Sequence, residues 1–198
     1  MGGRNPRSAV GAGGDLCLGF QRYGIMAVPW VDYHGRSEMP LAKSEIRIGA
    51  PPDQVWAVIG DLEGGPRWSA VTLECQLTSE GPPGLGCTYR AVSKFAASKI
   101  TTEHEIVEWE PPHIMVSWVT KGAESVLTQI CEPEGQGSKL TMSNEFALPR
   151  GVPSLVGDKL AQQVSNTLTE ELMRIKREVE ERYRAWCQTQ KGSSTPAP

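Results

Sequence analysis

Imidazole is the side chain best suited to move protons near neutral pH, and this chain has three, His34, His104 and His113. They are too dispersed to suggest a metal site, and no metal or other cofactor is expected. His104 is the informative one. It shares a strand face with Ile100, Thr102 and Ile106, whereas Thr101, Glu103 and Glu105 occupy the opposite, wetter face. An inward imidazole in such company can hydrogen-bond a ligand or act as an acid or base. No Ser or Cys nucleophile pattern accompanies it, so a structural hydrogen bond to a neighbouring hydroxyl or backbone group competes with either role. Asn144 interrupts the apolar series Leu140, Met142, Phe146, Leu148, and a buried amide must find a partner, whether a ligand, a water or Tyr89. Tyr89 shares a face with Cys87 and Ala91 and brings a phenolic hydroxyl to the same space. Gln129 faces inward if Leu127 and Cys131 do, and outward if Val126, Thr128 and Ile130 form the inner face; the pattern leaves both open, as it does for the strand at 114–120.

The elements that must position these residues are legible from periodicity. Residues 42–48 alternate, with Ile46 and Ile48 against Glu45 and Arg47, as a half-buried strand does. Pro51-Pro52-Asp53 then starts a short helix carrying Val55, Trp56 and Ile59, which Gly60 ends. A second short helical or turn segment leads to Trp68. Trp56 and Trp68 are conspicuous by size, and core packing is the expectation for both. Strand signals follow at 71–77, 87–92, 99–109, 114–120, 125–131 and 139–148, separated by short turn-forming stretches that favour an antiparallel meander. After Pro149 the apolar residues Leu160, Val164, Leu168, Leu172, Ile175 and Val179 form one stripe of a long helix over 154–186. Glu170, Arg174, Glu178 and Arg182 on its far side have the spacing of exposed ion pairs.

Composition narrows the function classes. The 198 residues carry a net charge of −3, with no basic footprint for nucleic acid. Five cysteines without a C-x-x-C pair indicate neither a disulfide scaffold nor a zinc knuckle, and a reducing cytoplasm is the expected location. No apolar run reaches the roughly 18 residues of a membrane span, and no secretory signal is recognisable. Residues 1–39 lack any period and read as a disordered extension, with Met26 and Met39 as alternative starts. Gly11-Ala12-Gly13-Gly14 lacks the strand and the Lys-Ser/Thr of a phosphate loop. Residues 40–188 form one domain, and 189–198 a disordered tail.

Specific residues sit on this order of elements: Ile48-x-Ala50-Pro51-x-x-x-Val55-Trp56, Asp61 followed by Trp68, Gly86 opening a strand, Val107-Glu108-Trp109-Glu110-Pro111-Pro112, and Gly137-Ser138-Lys139-Leu140-Thr141. Over residues 42–183 the chain resembles the START-like superfamily, also called SRPBCC, of polyketide cyclase/dehydrase and lipid-transport proteins. The resemblance implies an α+β helix-grip fold, a seven-stranded curved antiparallel sheet around a long C-terminal helix with two short helices between the first two strands. It also implies a cavity between the concave sheet face and that helix for a sterol, lipid, polyketide, hormone or quinone. Within such a cavity the strand alternation places Tyr89, Thr102, His104, Ile106, Leu140, Met142, Asn144 and Phe146, and the helix stripe adds Leu160, Val164 and Leu168. A small hydrophobic ligand is the expected partner, with transient membrane or protein contact and the oligomeric state left open. Binding or transport without chemistry is the first reading. A cyclase or aromatase using His104 is the alternative, and a protein-interaction domain with a collapsed cavity is a third.

Overall fold

A computed structural model describes residues 39–95, 98–148 and 153–192. All of them belong to the unit Ser37–Pro198. The expectations for residues 1–38 and 193–198 lie outside the described residues.

The first strand, β1 (Leu41–Ile48), leads into helix α1 (Pro52–Ile59), a 3-10 turn (Leu62–Gly64) and the single turn α2 (Gly65–Trp68). Proline in the first turn of α1 gives up no helical hydrogen bond, because the amides there have no intrahelical partner. Val55, Val58 and Ile59 form its buried face. Asp61 caps the next turn by accepting from the Gly64 N–H at 3.1 Å while holding Arg67 at 2.7 Å.

Six strands follow: β2 (Thr72–Leu77), β3 (Thr88–Phe95), β4 (Ser98–Glu110), β5 (Ile114–Lys121), β6 (Ser125–Glu134) and β7 (Gly137–Phe146). All pairings are antiparallel and the spatial order is β1-β7-β6-β5-β4-β3-β2. The meander thus holds from β2 to β7, and β1 closes the sheet beside β7. Their junction requires a glycine, since a Cβ on Gly137 would collide with the Ile48 carbonyl oxygen. The buried Ser138 hydroxyl adds a 2.7 Å hydrogen bond to the Ala50 carbonyl.

The long helix α3 (Ser154–Gly192) lies against β1, β7 and α1. Leu168, Leu172, Ile175 and Val179 are buried among Ala42, Ile48, Val55, Ile59, Leu140 and Met142. This is the helix-grip arrangement, with a seven-stranded sheet around a C-terminal helix and short helices between the first two strands. At 39 residues the helix is about 58 Å long at 1.5 Å per residue. It runs past Trp186, so residues 189–192, expected in the tail, are helical. Gln188, Gln190 and Lys191 are good helix formers, and the Thr189 hydroxyl donates to the Trp186 carbonyl at 2.7 Å.

One polar knot ties α3 to the corner between α2 and β2. Buried Glu171 accepts from the Ser69 hydroxyl at 2.5 Å and from the Ala70 N–H at 3.1 Å, and Arg174 donates to the Ser69 carbonyl at 2.9 Å. Burial pushes the Glu171 carboxyl above the ordinary range, more than these hydrogen bonds lower it. Arg174 is thereby diverted from the ladder that its spacing suggests. Glu178 binds Arg182 at 2.6 Å and Arg67 at 3.3 Å instead.

Candidate functional site

The concave sheet face and the segment from α1 to α2 line a partly open cavity of about 250 Å³. From the sheet come Tyr89 and Ala91 on β3, Thr102 and His104 on β4, and Met115 and Val119 on β5. Leu127 and Gln129 on β6 and Asn144 on β7 continue the wall. The connecting segment contributes Ile59, Leu62, Gly65 and Trp68. Among the described residues, no Lys, Arg, Asp or Glu lines the space.

The polar groups divide into satisfied and unsatisfied sets. Tyr89 and His104 are directly opposed across β3 and β4, and their rings stack with centroids 4.6 Å apart and planes 8° from parallel. The Tyr89 hydroxyl donates to Ser117 Oγ at 2.9 Å, and burial pushes its pKa up. His104 Nε2 shares a 2.8 Å hydrogen bond with Thr102 Oγ1. Burial lowers the His104 pKa to about 4, so the imidazole is neutral at pH 7. By contrast, His104 Nδ1, Gln129 Oε1, Asn144 Oδ1 and Trp68 Nε1 are buried with no hydrogen-bond partner among the described residues. A buried polar atom left unpaired costs about 1–3 kcal/mol. Four lining residues therefore carry buried, unmet hydrogen-bonding capacity.

Residues 39–180 match the family model described as polyketide cyclase/dehydrase and lipid transport. The chain belongs to this family. Among solved structures, the Zhui aromatase/cyclase from Streptomyces sp. R1128 is similar with a TM-score of 0.65 and 18% identity over 74% of this chain and 97% of that one. A protein from Thermus thermophilus gives 0.61 and 21% over 71% and 97%. A START superfamily protein from Mycobacterium smegmatis gives 0.61 and 14%, again over 71% and 97%. At these identities the likeness is one of fold. An uncharacterized protein of Mycobacterium tuberculosis is 31% identical over 71 residues, which span 36% of this chain and 41% of that protein. Among the described residues no helix is long and apolar enough to cross a membrane.

Of the side chains expected at a ligand site, Tyr89, Thr102, His104 and Asn144 come together around this cavity. Ile106, Leu140, Met142, Phe146, Leu160, Val164 and Leu168 do not line it. The reason is packing. Leu140, Met142 and Leu168 are buried in the main core with Phe146 and Val164 against them, and Ile106 is buried in a second cluster with Leu62, Cys87 and Met115. The described part of α3 contributes no residue to this cavity. From Val164 to Val179 its apolar stripe packs in the main core.

Both undecided registers resolve. Gln129 is 1% exposed and faces inward with Leu127 and Cys131. On β5 the odd positions face in, since Met115 and Val119 line the cavity and Ser117 meets Tyr89. Trp56 packs edge-on against Trp109, with ring centroids 5.1 Å apart. Trp68 does more, joining the core and lining the cavity with an unpaired indole N–H. Sequence reasoning missed that second role because bulk alone does not say which edge of an indole is left without a partner.

Proposed function

We propose that this protein binds and carries a small, mostly apolar molecule in the cavity, without converting it. The observation that carries the reading is a wall free of ionised groups among the described residues, whose one imidazole is neutral and weakly basic. A general base works best when its pKa lies near the operating pH, and His104 at about 4 is far from it. Apolar burial alone supplies roughly 2.5 kcal/mol per 100 Å² before association costs, so retention of a ligand needs no covalent chemistry. A collapsed interior would favour a protein-binding role, and a cavity of about 250 Å³ supports the ligand-binding reading instead.

A cyclase reading has one observation in its favour, the presence of His104, Tyr89 and Asn144 around the same space. Native mass spectrometry separates the two. Protein isolated without denaturant is expected to carry an added mass that denaturation releases, and His104→Gln and His104→Ala are expected to retain it unchanged. Conversion of the released compound by the wild type but by neither variant would replace the carrier with the cyclase. Absence of any adduct, together with failure to bind added naphthalene, would remove both.

A further inference from the structure

We propose that the cavity selects an uncharged ligand bearing a hydroxyl group, read by the side-chain amides of Gln129 on β6 and Asn144 on β7. The inference rests on the carrier reading and specifies the chemistry of its ligand. Three observations point to it.

The first is charge. A carboxylate, phosphate or ammonium entering this space would leave water without meeting an ion of opposite sign, because the described wall holds none, and an unpaired buried charge is strongly disfavoured. The ligand is therefore neutral.

The second is the unpaired set. A plain hydrocarbon would leave Gln129 Oε1 and Asn144 Oδ1 as they stand, buried and without partners among the described residues. Gln129 is 1% exposed, and its strand neighbours in register are Met115 and Met142, neither of which offers an amide a strong partner. Asn144 stands opposite Leu127, two residues from Gln129 along β6. The two residues are thus diagonal neighbours on one sheet face, with Cα atoms about 7–8 Å apart by sheet geometry. One compact polar group can fall within reach of both.

The third is the kind of group that fits. A hydroxyl both donates and accepts, so it matches an amide through its oxygen or, after a half-turn of the side chain, through its NH₂. It also matches His104 Nδ1 in either tautomer and the Trp68 N–H. A ketone accepts only and would leave the amide oxygens unpaired. The volume of about 250 Å³ lies just under the roughly 300–1,000 Å³ of drug-sized sites, which favours a compact ring over a long chain.

The test titrates the full chain at pH 7 by calorimetry with three probes of one shape: naphthalene, 1-naphthol and 1-naphthoate. Binding of 1-naphthol is expected to be roughly tenfold tighter than that of naphthalene, the equivalent of one recovered buried hydrogen bond, and 1-naphthoate is expected to bind weakest. In Gln129→Leu and Asn144→Leu, 1-naphthol should fall to the affinity of naphthalene, while naphthalene itself binds as well or better. Naphthalene is thereby the control for folding, and Gln129→Met and Asn144→Ala serve if either leucine variant fails it. Equal affinities for naphthalene and 1-naphthol in the wild type, or tightest binding of 1-naphthoate, would overturn this inference and leave the carrier reading standing. An undiminished naphthol preference in all of these variants would overturn the assignment to the two amides. Failure of all three probes to bind would instead remove the carrier reading beneath it.

Discussion

Leu172→Ala is expected to destabilise the domain by about 3–4 kcal/mol, near the middle of the range for leucine-to-alanine changes in well-packed cores. Leu172 is 1% exposed and sits midway along the buried stripe of α3, in the cluster with Leu168, Ile175, Val58 and Met142. Truncation removes three carbons from a core cluster that β1, β7 and α1 all help to build, and those elements cannot close on the gap independently because the register of β1 on β7 fixes their spacing. Met173, one residue along and 59% exposed, is the internal control; its alanine variant is expected to stay within about 0.5 kcal/mol of the parent. Urea unfolding of the two variants measures both numbers. A Leu172→Ala loss no greater than that of Met173→Ala would mean that the helix is not gripped as described.

The second large effect is a loss of stability in mild acid carried by His104. Its pKa falls from 6.5 when solvated to about 4 in the fold, because burial penalises the imidazolium. Between those values the unfolded chain binds a proton that the folded chain does not, so stability is full above pH 6.5 and declines as pH falls toward 4. The complete difference corresponds to about 3 kcal/mol. Glu171 works in the opposite sense. Its raised carboxyl pKa makes the folded state the better proton binder, so its contribution improves as pH falls through that raised value. Half-buried Glu145, also raised by burial, adds in the same direction. Urea midpoints at pH 7, 5.5 and 4.5 are therefore expected to fall for the wild type and to fall much less for His104→Gln, in which the raised carboxyls oppose the acid loss from Asp61, whose carboxyl the Arg67 guanidinium holds below its ordinary range. An identical decline in the two proteins would contradict the neutral, buried state assigned to His104.

The parts of this architecture that can be read from residues alone are those where one face differs sharply from the other. β7 alternates Leu140, Met142 and Asn144 with Thr141, Ser143 and Glu145, and α3 repeats leucine and valine at helical spacing, so each declares its type and its inner face. β6 does not, because Val126, Thr128 and Ile130 offer as plausible an inner face as Leu127 and Cys131. For Gln129 the face is fixed only by pairing with β5 and β7. The position of the cavity is illegible for a different reason. A strand pattern shows which side chains point inward, but not where the inward ones fail to fill the space. That depends on how closely α3 settles on β1 and β7 and how far the segment from Ile59 to Trp68 stands from β2 to β5. Leu140, Met142 and Leu168 have the right orientation for lining and are consumed by packing. Tyr89, Thr102 and His104 lie on strands farther from the helix and face the gap. Trp68 shows a third limit, since its ring packs in the core while its N–H is left without a partner among the described residues.

The most direct test of the central claim is a ¹⁵N-resolved NMR titration of the full chain with 1-naphthol, with the Trp68 indole signal assigned by Trp68→Phe. The Trp68 Nε1–H and the side-chain amide signals of Gln129 and Asn144 are expected to shift together along one saturating curve, while the indole of Trp186, half-exposed on α3, stays in place. Movement of Trp186 with Trp68, Gln129 and Asn144 unchanged would contradict it, placing binding on the outer helix and leaving the cavity without a ligand.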